Sequence, residues 1–276
     1  MSGIIVSADI IPPEEASYTP YVVTPVNSET KRVTVYGFKG TTLHVKCGGT
    51  TLAKQTYAKD GFKNISIKPQ NAGKTLSFSL VTSYGKTGKA VTRKVINLCG
   101  EKQSTSLKAP RVQKTITNTT KLVTVNAQKN TTLVVKTDKA KVLGQKVYAK
   151  TGSQSIRLSI PADTNYLYFY EKAGNKRSPL TVRQVQDKTA PKTPKVTRTD
   201  IEGAVINVKG ELYSYVYVNY GAGWKYQGTV LDKSGSTVLV DTSRGAMTYQ
   251  VKLKDRAGNS SKAVQMKYKG DALEHN

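Results

Sequence analysis

"TYAKDG" at residues 56–61 returns as "VYAKTG" at residues 147–152, with Tyr57 and Tyr148 separated by 91 positions. The echo belongs to a longer register. Upstream, "VTVYGFKGTTLHVK" (33–46) lies over "VTVNAQKNTTLVVK" (123–136) at a spacing of 90, so that Thr41, Thr42, Leu43, Val45 and Lys46 recur as Thr131, Thr132, Leu133, Val135 and Lys136. A fainter third copy, "AVINVKGELYSYVYVNYGAGWKYQGTV" (204–230), keeps the order of strand, Gly turn, strand and return strand. Its end is clearer: "KDRAGNSSKAV" (254–264) matches "EKAGNKRSPLTV" (171–182), and "SYGKTGKAV" (83–91) holds the same place in the first copy. A period of roughly 80 to 90 residues is too long for a solenoid repeat and suits a small independent domain.

The expected organisation is therefore a tail or lent strand at 1–18, modules at 19–100, 101–187 (with its linker) and 188–270, and a tail at 271–276. Periodicity of two dominates the chain, and no segment keeps apolar residues at helical spacing for three turns. Strands are predicted in the first copy near 21–26, 32–38, 42–47, 52–58, 62–68, 75–83 and 90–98, punctuated by "FKGT", "CGGT", "KDGF", "NAGK" and "YGKTG". This rhythm predicts an all-β fold of three tandem antiparallel immunoglobulin-like β-sandwiches in an elongated array. Alternation assigns faces as well. Aligning the end motifs puts Phe78 and Leu80 over Leu167 and Phe169 and over Val251 and Leu253, all pointing inward, with Tyr168, Tyr170, Lys252 and Lys254 outward.

Charge is the most prominent compositional feature. The chain has 43 Lys and Arg against 18 Asp and Glu, a net of +25. Residues 19–100 carry +11, 101–186 carry +12, 187–276 only +5, and 1–18 carry −3. Such a field attracts an anionic polymer, whether a wall phosphate polymer, a glycan or nucleic acid. Dispersed lysines also keep strand faces soluble and block edge pairing, so both readings stand. No stretch approaches the roughly 20 apolar residues of a membrane helix, and no membrane insertion is expected. The start, "MSGIIVSADIIPPEE", has no basic n-region. The expectation is a fragment of a longer exported protein that lacks its export signal, or else a chain that never crosses a membrane.

Between the second and third copies, "QDKTAPKTPKVTR" (186–198) reads as a proline-stiffened linker, and "CGEKQSTSLKAPRVQK" (99–114) has the same trailing "KAP". Here the sequence resembles a known family. "DKTAPKTPKV" (187–196), followed by a β-rich segment ending in "DRAGNSSKAV", looks like the bacterial immunoglobulin-like domains strung along Gram-positive cell-surface and secreted proteins, and "YVYVNYGAGWKYQG" (215–228) is similar to the same family's strand, Gly turn and Trp pattern. The resemblance covers about four fifths of the chain; the first copy departs from it, having "SYGKTGKAV" where "AGN" is expected. It implies a sandwich fold and a stalk, spacer or adhesive role, among neighbouring modules of a longer chain, outside the cell or in its wall. Fold alone implies no ligand.

No enzymatic chemistry is expected. The histidines are His44, on a strand surface beside Lys46, and His275 in the tail; neither makes a catalytic triad. Two cysteines and one embedded histidine cannot supply a zinc site, and isolated Asp turns are unlike a calcium loop, so no metal or cofactor is expected. Cys47 and Cys99 are read either as a disulfide or as two thiols. The candidate ligand surface is Tyr166, Tyr168 and Tyr170 beside Lys136 and Arg183, able to stack on sugars or bases while the cations hold charge. Tyr213, Tyr215, Tyr217, Tyr220, Trp224 and Tyr226 form a second aromatic group, some of which, Trp224 first, are expected to fill the core. The reading is a non-catalytic stalk or adhesive segment of a bacterial surface or secreted protein. The alternatives are a phage virion component or the carbohydrate-binding accessory array of an exported hydrolase.

Overall fold

The structure, a computed structural model, describes residues 18–199, 204–241 and 245–269. The described residues are all β, without a helix, and form several antiparallel sheets. They divide into two compact units: one holds residues up to 114, 121–159 and 163–184, the other 115–120, 160–162 and 185 onward.

All seven strands expected in the first copy are present. Tyr21–Val22, Arg32–Gly37 and Gly61–Ser66 form one sheet, and Thr50–Thr56, Thr41–Cys47, Thr75–Thr82 and Val91–Lys94, in that order, form another. Val33 and Val35 from the first sheet and Leu43, Val45, Phe78 and Leu80 from the second share one buried cluster, so the sheets bury their apolar faces on each other. Each such side chain contributes roughly 1.5–3 kcal/mol when fully buried.

The repeated stretch builds the same device twice. The Tyr57 hydroxyl crosses between sheets to donate to the Val35 carbonyl at 2.8 Å, and the Tyr148 hydroxyl donates to Val125 at 2.9 Å. Asp60 Oδ1 accepts from the Lys39 amide, and Thr151 Oγ1 accepts from Lys129. Thr41 and Thr131 close the facing turn by donating to the Phe38 and Gln128 carbonyls. Between them stand Gly40 (φ 78°) and Asn130 (φ 59°), the two residue types that tolerate a left-handed turn best. Burial pushes both tyrosine hydroxyls up in pKa, which keeps them neutral donors; Glu171 adds to the shift at Tyr148.

A shared irregularity links the fainter copy to the other two. The strand pairing slips by one residue between Val45 and Lys46, between Val135 and Lys136, and between Val216 and Tyr217, each time opposite the return strand of its hairpin. Such bulges twist a strand locally and are inherited with a fold. In the second unit, Lys195–Arg198, Val205–Lys209 and Ser236–Leu239 form a three-stranded sheet, and Trp224–Thr229, Tyr215–Asn219, Met247–Lys254 and Val264–Tyr268 a four-stranded one. Ile206, Val208, Val216, Val218, Val251 and Leu253 share its core.

Two expectations need correction. Val45 pairs with Phe78 and Val135 with Phe169, so Leu76 and Phe78, not Phe78 and Leu80, correspond to Leu167 and Phe169. The two-residue shift preserves the inward face, but it places Glu171 opposite Leu133 as Leu80 is opposite Leu43. Glu171 is accordingly 1% exposed, and its Oε2 accepts from the Gln128 amide, the Gln128 side chain and Thr131. Secondly, residues 99–114 are not a bare linker. Lys102–Gln103 runs parallel to Lys176–Arg177, and Arg111–Val112 pairs with Leu122–Ala127.

Within the second unit the resemblance motifs prove to be physically coupled. Asn259 of "DRAGN" donates through Nδ2 to the carbonyls of Asp187 and Thr189 in "DKTAP", while Asp255 accepts from the amide and Nδ2 of the same asparagine.

Candidate functional site

Lys136, Tyr168 and Tyr170 do share one face: Lys136 pairs with Tyr168 across the Thr131–Thr137 and Tyr166–Ala173 strands, and its ammonium lies 5.7 Å from the Tyr170 ring centre. That face is covered, however. Tyr168 is 4% exposed and Tyr170 1%, and Val134 beside them is buried as well. Alternation identified the side away from the Leu167–Phe169 core correctly, but that side is a second buried surface, closed by residues 27–29 and 98–103.

The covering contacts are specific. Lys136 Nζ donates to the Leu98 carbonyl at 2.8 Å. The Asn27 side chain donates to the Tyr168 hydroxyl (3.4 Å) and to the Asp138 carbonyl (2.9 Å). Tyr170 donates to the Glu101 carboxylate at 3.3 Å, and Arg177 meets Glu29 at 3.2 Å. Burial pushes the Tyr168 hydroxyl up to about 12 and Tyr170 higher. Arg183 is not part of this cluster. It pairs with Leu167 on the opposite face, where its guanidinium donates to the carbonyls of Gln113 and Val112 at 2.9 and 2.7 Å. The expected open stack of tyrosines flanked by two cations is thus an internal seam plus one backbone clamp.

Asp138 marks the cost of that seam. The residue is fully buried; Oδ2 accepts from the Asn165 amide and side chain, and Oδ1 has no hydrogen-bond partner. Burial raises its pKa above the ordinary 3.8, opposed by the Asn165 bonds and Lys139. A carboxyl with a raised folded pKa contributes stability that is full below its unfolded value and lost as pH climbs through the folded one. Asp138→Asn keeps an acceptor for Asn165 without the charge. The variant is expected to be more stable than the parent at neutral pH, with the difference vanishing in acid; denaturant melts across pH check this, and a pH-independent difference would refute it.

Sequence spacing gave no signal for the cleft that opens beside the seam. An open cleft of about 840 Å³ lies between residues 29–32, 66–69 and 166–184, within the usual range of ligand pockets. Lys31, Arg32 and Lys68 line it as exposed cations, with Arg177, Tyr166 and Glu29. Tyr166, half-buried, is the member of the expected site that keeps an accessible position here. Arg177 is nearly buried, and its Nε has no hydrogen-bond partner.

Cys47 and Cys99 are free thiols, with Cys99 held up in pKa chiefly by burial. His44 is half-buried, and burial, Lys54 and Lys46 lower its pKa, leaving it a neutral strand residue. In the second unit Tyr220 is buried in the core, but Trp224, the first of its group expected there, is only half-buried and lies outside the core cluster, under the Lys252 ammonium at 4.0 Å. Among the described residues no group of three or more His, Cys, Asp or Glu could hold a metal ion, and no helix is long and apolar enough to cross a membrane.

These registers define the described residues as all-β, built of several antiparallel sheets. No family model and no curated protein matches it. Among solved structures, it is similar to the BSP domain of a biofilm-associated protein, at 20% identity over 63% of this chain and 30% of the other, with a TM-score of 0.27. A solved chain from work on a 1.5-MDa bacterial ice-binding adhesin matches at 15% identity over 91% of this chain and 96% of that solved chain, TM-score 0.24. A Ca2+-stabilized adhesin of an Antarctic bacterium matches at 14% over 91% and 72%, TM-score 0.24. The chain spans less than a third of the length of the first of these.

Proposed function

We propose that the chain is a non-catalytic stalk or adhesive segment of a bacterial surface or secreted protein, built of three tandem immunoglobulin-like sandwiches at 19–100, 101–187 and 188–270 and acting outside the cell or in its wall. The strand order of the first copy, the twice-built tyrosine device and the common bulge support the modular reading. The basic surface of the first two modules engages an anionic polymer.

One observation carries the binding part. With 43 Lys and Arg against 18 Asp and Glu, 25 cations have no acid in the chain to pair with, and of the 18 acids Asp163 meets Lys139 and Glu29 meets Arg177. Most of the cationic charge is therefore left to solvent and to whatever polyanion approaches. The cleft, with Lys31, Arg32 and Lys68 exposed at its wall, concentrates part of it.

Binding of the full chain to a soluble polyanion such as heparin is expected to fall steeply with salt, because the affinity comes from released counterions. Replacing Lys31, Arg32 and Lys68 together by Gln is expected to lower the slope of log K against log salt by about one unit per lost contact. Titrations at several ionic strengths measure it. Binding that is insensitive to salt, or equal in the triple variant, makes the lysines a solubility coat and the array a spacer.

A further inference from the structure

The second unit carries a surface of a different kind. In its four-stranded sheet Val216, Val218, Val251 and Leu253 are fully buried in the core, so Tyr215, Tyr217, Asn219, Lys252 and Lys254 face the other way. Register brings their neighbours alongside: Tyr226 opposite Tyr217, Trp224 opposite Asn219, Lys252 opposite Tyr217 and Lys254 opposite Tyr215. The Tyr226 ring meets both Tyr215 and Tyr217 edge-to-face at 6.0 Å, with its hydroxyl paired to Thr229 at 3.0 Å, and is still 50% exposed. Lys252 lies 4.0 Å from the Trp224 ring centre and Lys254 5.9 Å from that of Tyr217. The four strands contain no Asp or Glu.

We propose that this face is a carbohydrate-binding platform for an acidic polysaccharide, with a sugar ring laid on the exposed Tyr226 and sugar carboxylates held by Lys252, seated over Trp224, and by Lys254. Rings fixed by edge-to-face neighbours on a rigid sheet give an apolar surface that needs little ordering on binding, which suits the C–H face of a pyranose. The exposed Gln250 and its cross-strand partner Asn219, whose Oδ1 already accepts from the Gly221 and Gly223 amides and whose Nδ2 is the group left to donate, border the rings and match sugar hydroxyls. The ammonium groups sit directly over the aromatic rings, with no acid on the four strands to neutralise them, so the complementary sugar is a charged one. Nucleic acid is disfavoured by the charge distribution: residues 187–276 carry only +5, while affinity for a phosphate backbone scales with the number of cations engaged. The platform lies on a different unit from the basic cleft, so either can fail without the other.

Trp224 is the sole tryptophan of the chain and reports directly on the site. Titrating the full chain with oligogalacturonate is expected to give a saturable change in its emission. Tyr226→Ala is expected to weaken that binding by about tenfold, Tyr226→Phe to retain it, and Lys252→Gln with Lys254→Gln to abolish its salt dependence. Polyglycerol phosphate, which has the charge but no ring to stack, is expected to leave the emission unchanged, as is a single-stranded oligonucleotide. No emission change with oligogalacturonate overturns the proposal. So does an equal response to polyglycerol phosphate or the oligonucleotide, or undiminished binding by a folded Tyr226→Ala. Should Tyr226→Ala melt early, the parent's titration and the lysine pair decide the matter.

Discussion

Replacing Tyr148 by Ala is expected to destabilise the chain by about 3–5 kcal/mol, the range for emptying a buried aromatic site. The ring is fully buried and its hydroxyl is bonded to the Val125 carbonyl of the opposite sheet. Tyr148→Phe keeps the ring and leaves one buried carbonyl short of a donor, so its cost should be nearer 1–2 kcal/mol. Because Tyr57 makes the same bond to Val35, Tyr57→Phe should cost about as much in the first copy. Denaturant unfolding of the three variants checks the pattern; equal losses for Phe and Ala at Tyr148 would show that the bond, and not the ring, dominates.

Asn27→Leu is expected to be comparably severe, at about 2–4 kcal/mol. Asn27 is fully buried, donates to Asp138 and Tyr168, and accepts from the Glu29 amide. A leucine of similar size fills the space but strands several buried polar groups, each worth about 1–3 kcal/mol when unpaired. It also loosens the seam between the first two copies, so calorimetry should resolve one melting transition of the parent into two. A variant that melts in one step at an unchanged temperature would falsify the role assigned to this side chain.

Strand positions in the first copy, the inward valines and leucines, and the equivalence of Tyr57 and Tyr148 were all readable, because each follows from local alternation and turn chemistry. What covers a face is not local. Tyr168 is closed off by Asn27, 141 positions away, and the Lys136 ammonium by the Leu98 carbonyl, 38 away. A period of two separates the faces of a strand but says nothing of what lies against them, so it does not distinguish tyrosines on an open surface from tyrosines that line a second core. Arg183 failed for a related reason: its strand's register against Leu167, which no spacing in the sequence shows, turns it to the other face. Trp224 is the first core candidate of its aromatic group by sequence, yet register puts it with Asn219 outside, where Lys252 covers its ring. Glu171 in a leucine position was hidden by a two-residue misalignment that leaves alternation intact.

One small difference between the copies bears on how they avoid one another while folding. Neighbouring domains of similar sequence are prone to exchange strands during synthesis and refolding. Gly37 ends its strand against Tyr57, where a methyl group would come within 2.5 Å of the ring. The matching position in the second copy is Ala127, paired there with Gly152 as Gly37 is with Gly61. A strand from the second copy inserted into the first would therefore press its alanine methyl on the Tyr57 ring, which has to shift from its place against Gly37. The two repeats are alike enough to share an architecture, and at this position unlike enough that a borrowed strand disturbs the ring it meets.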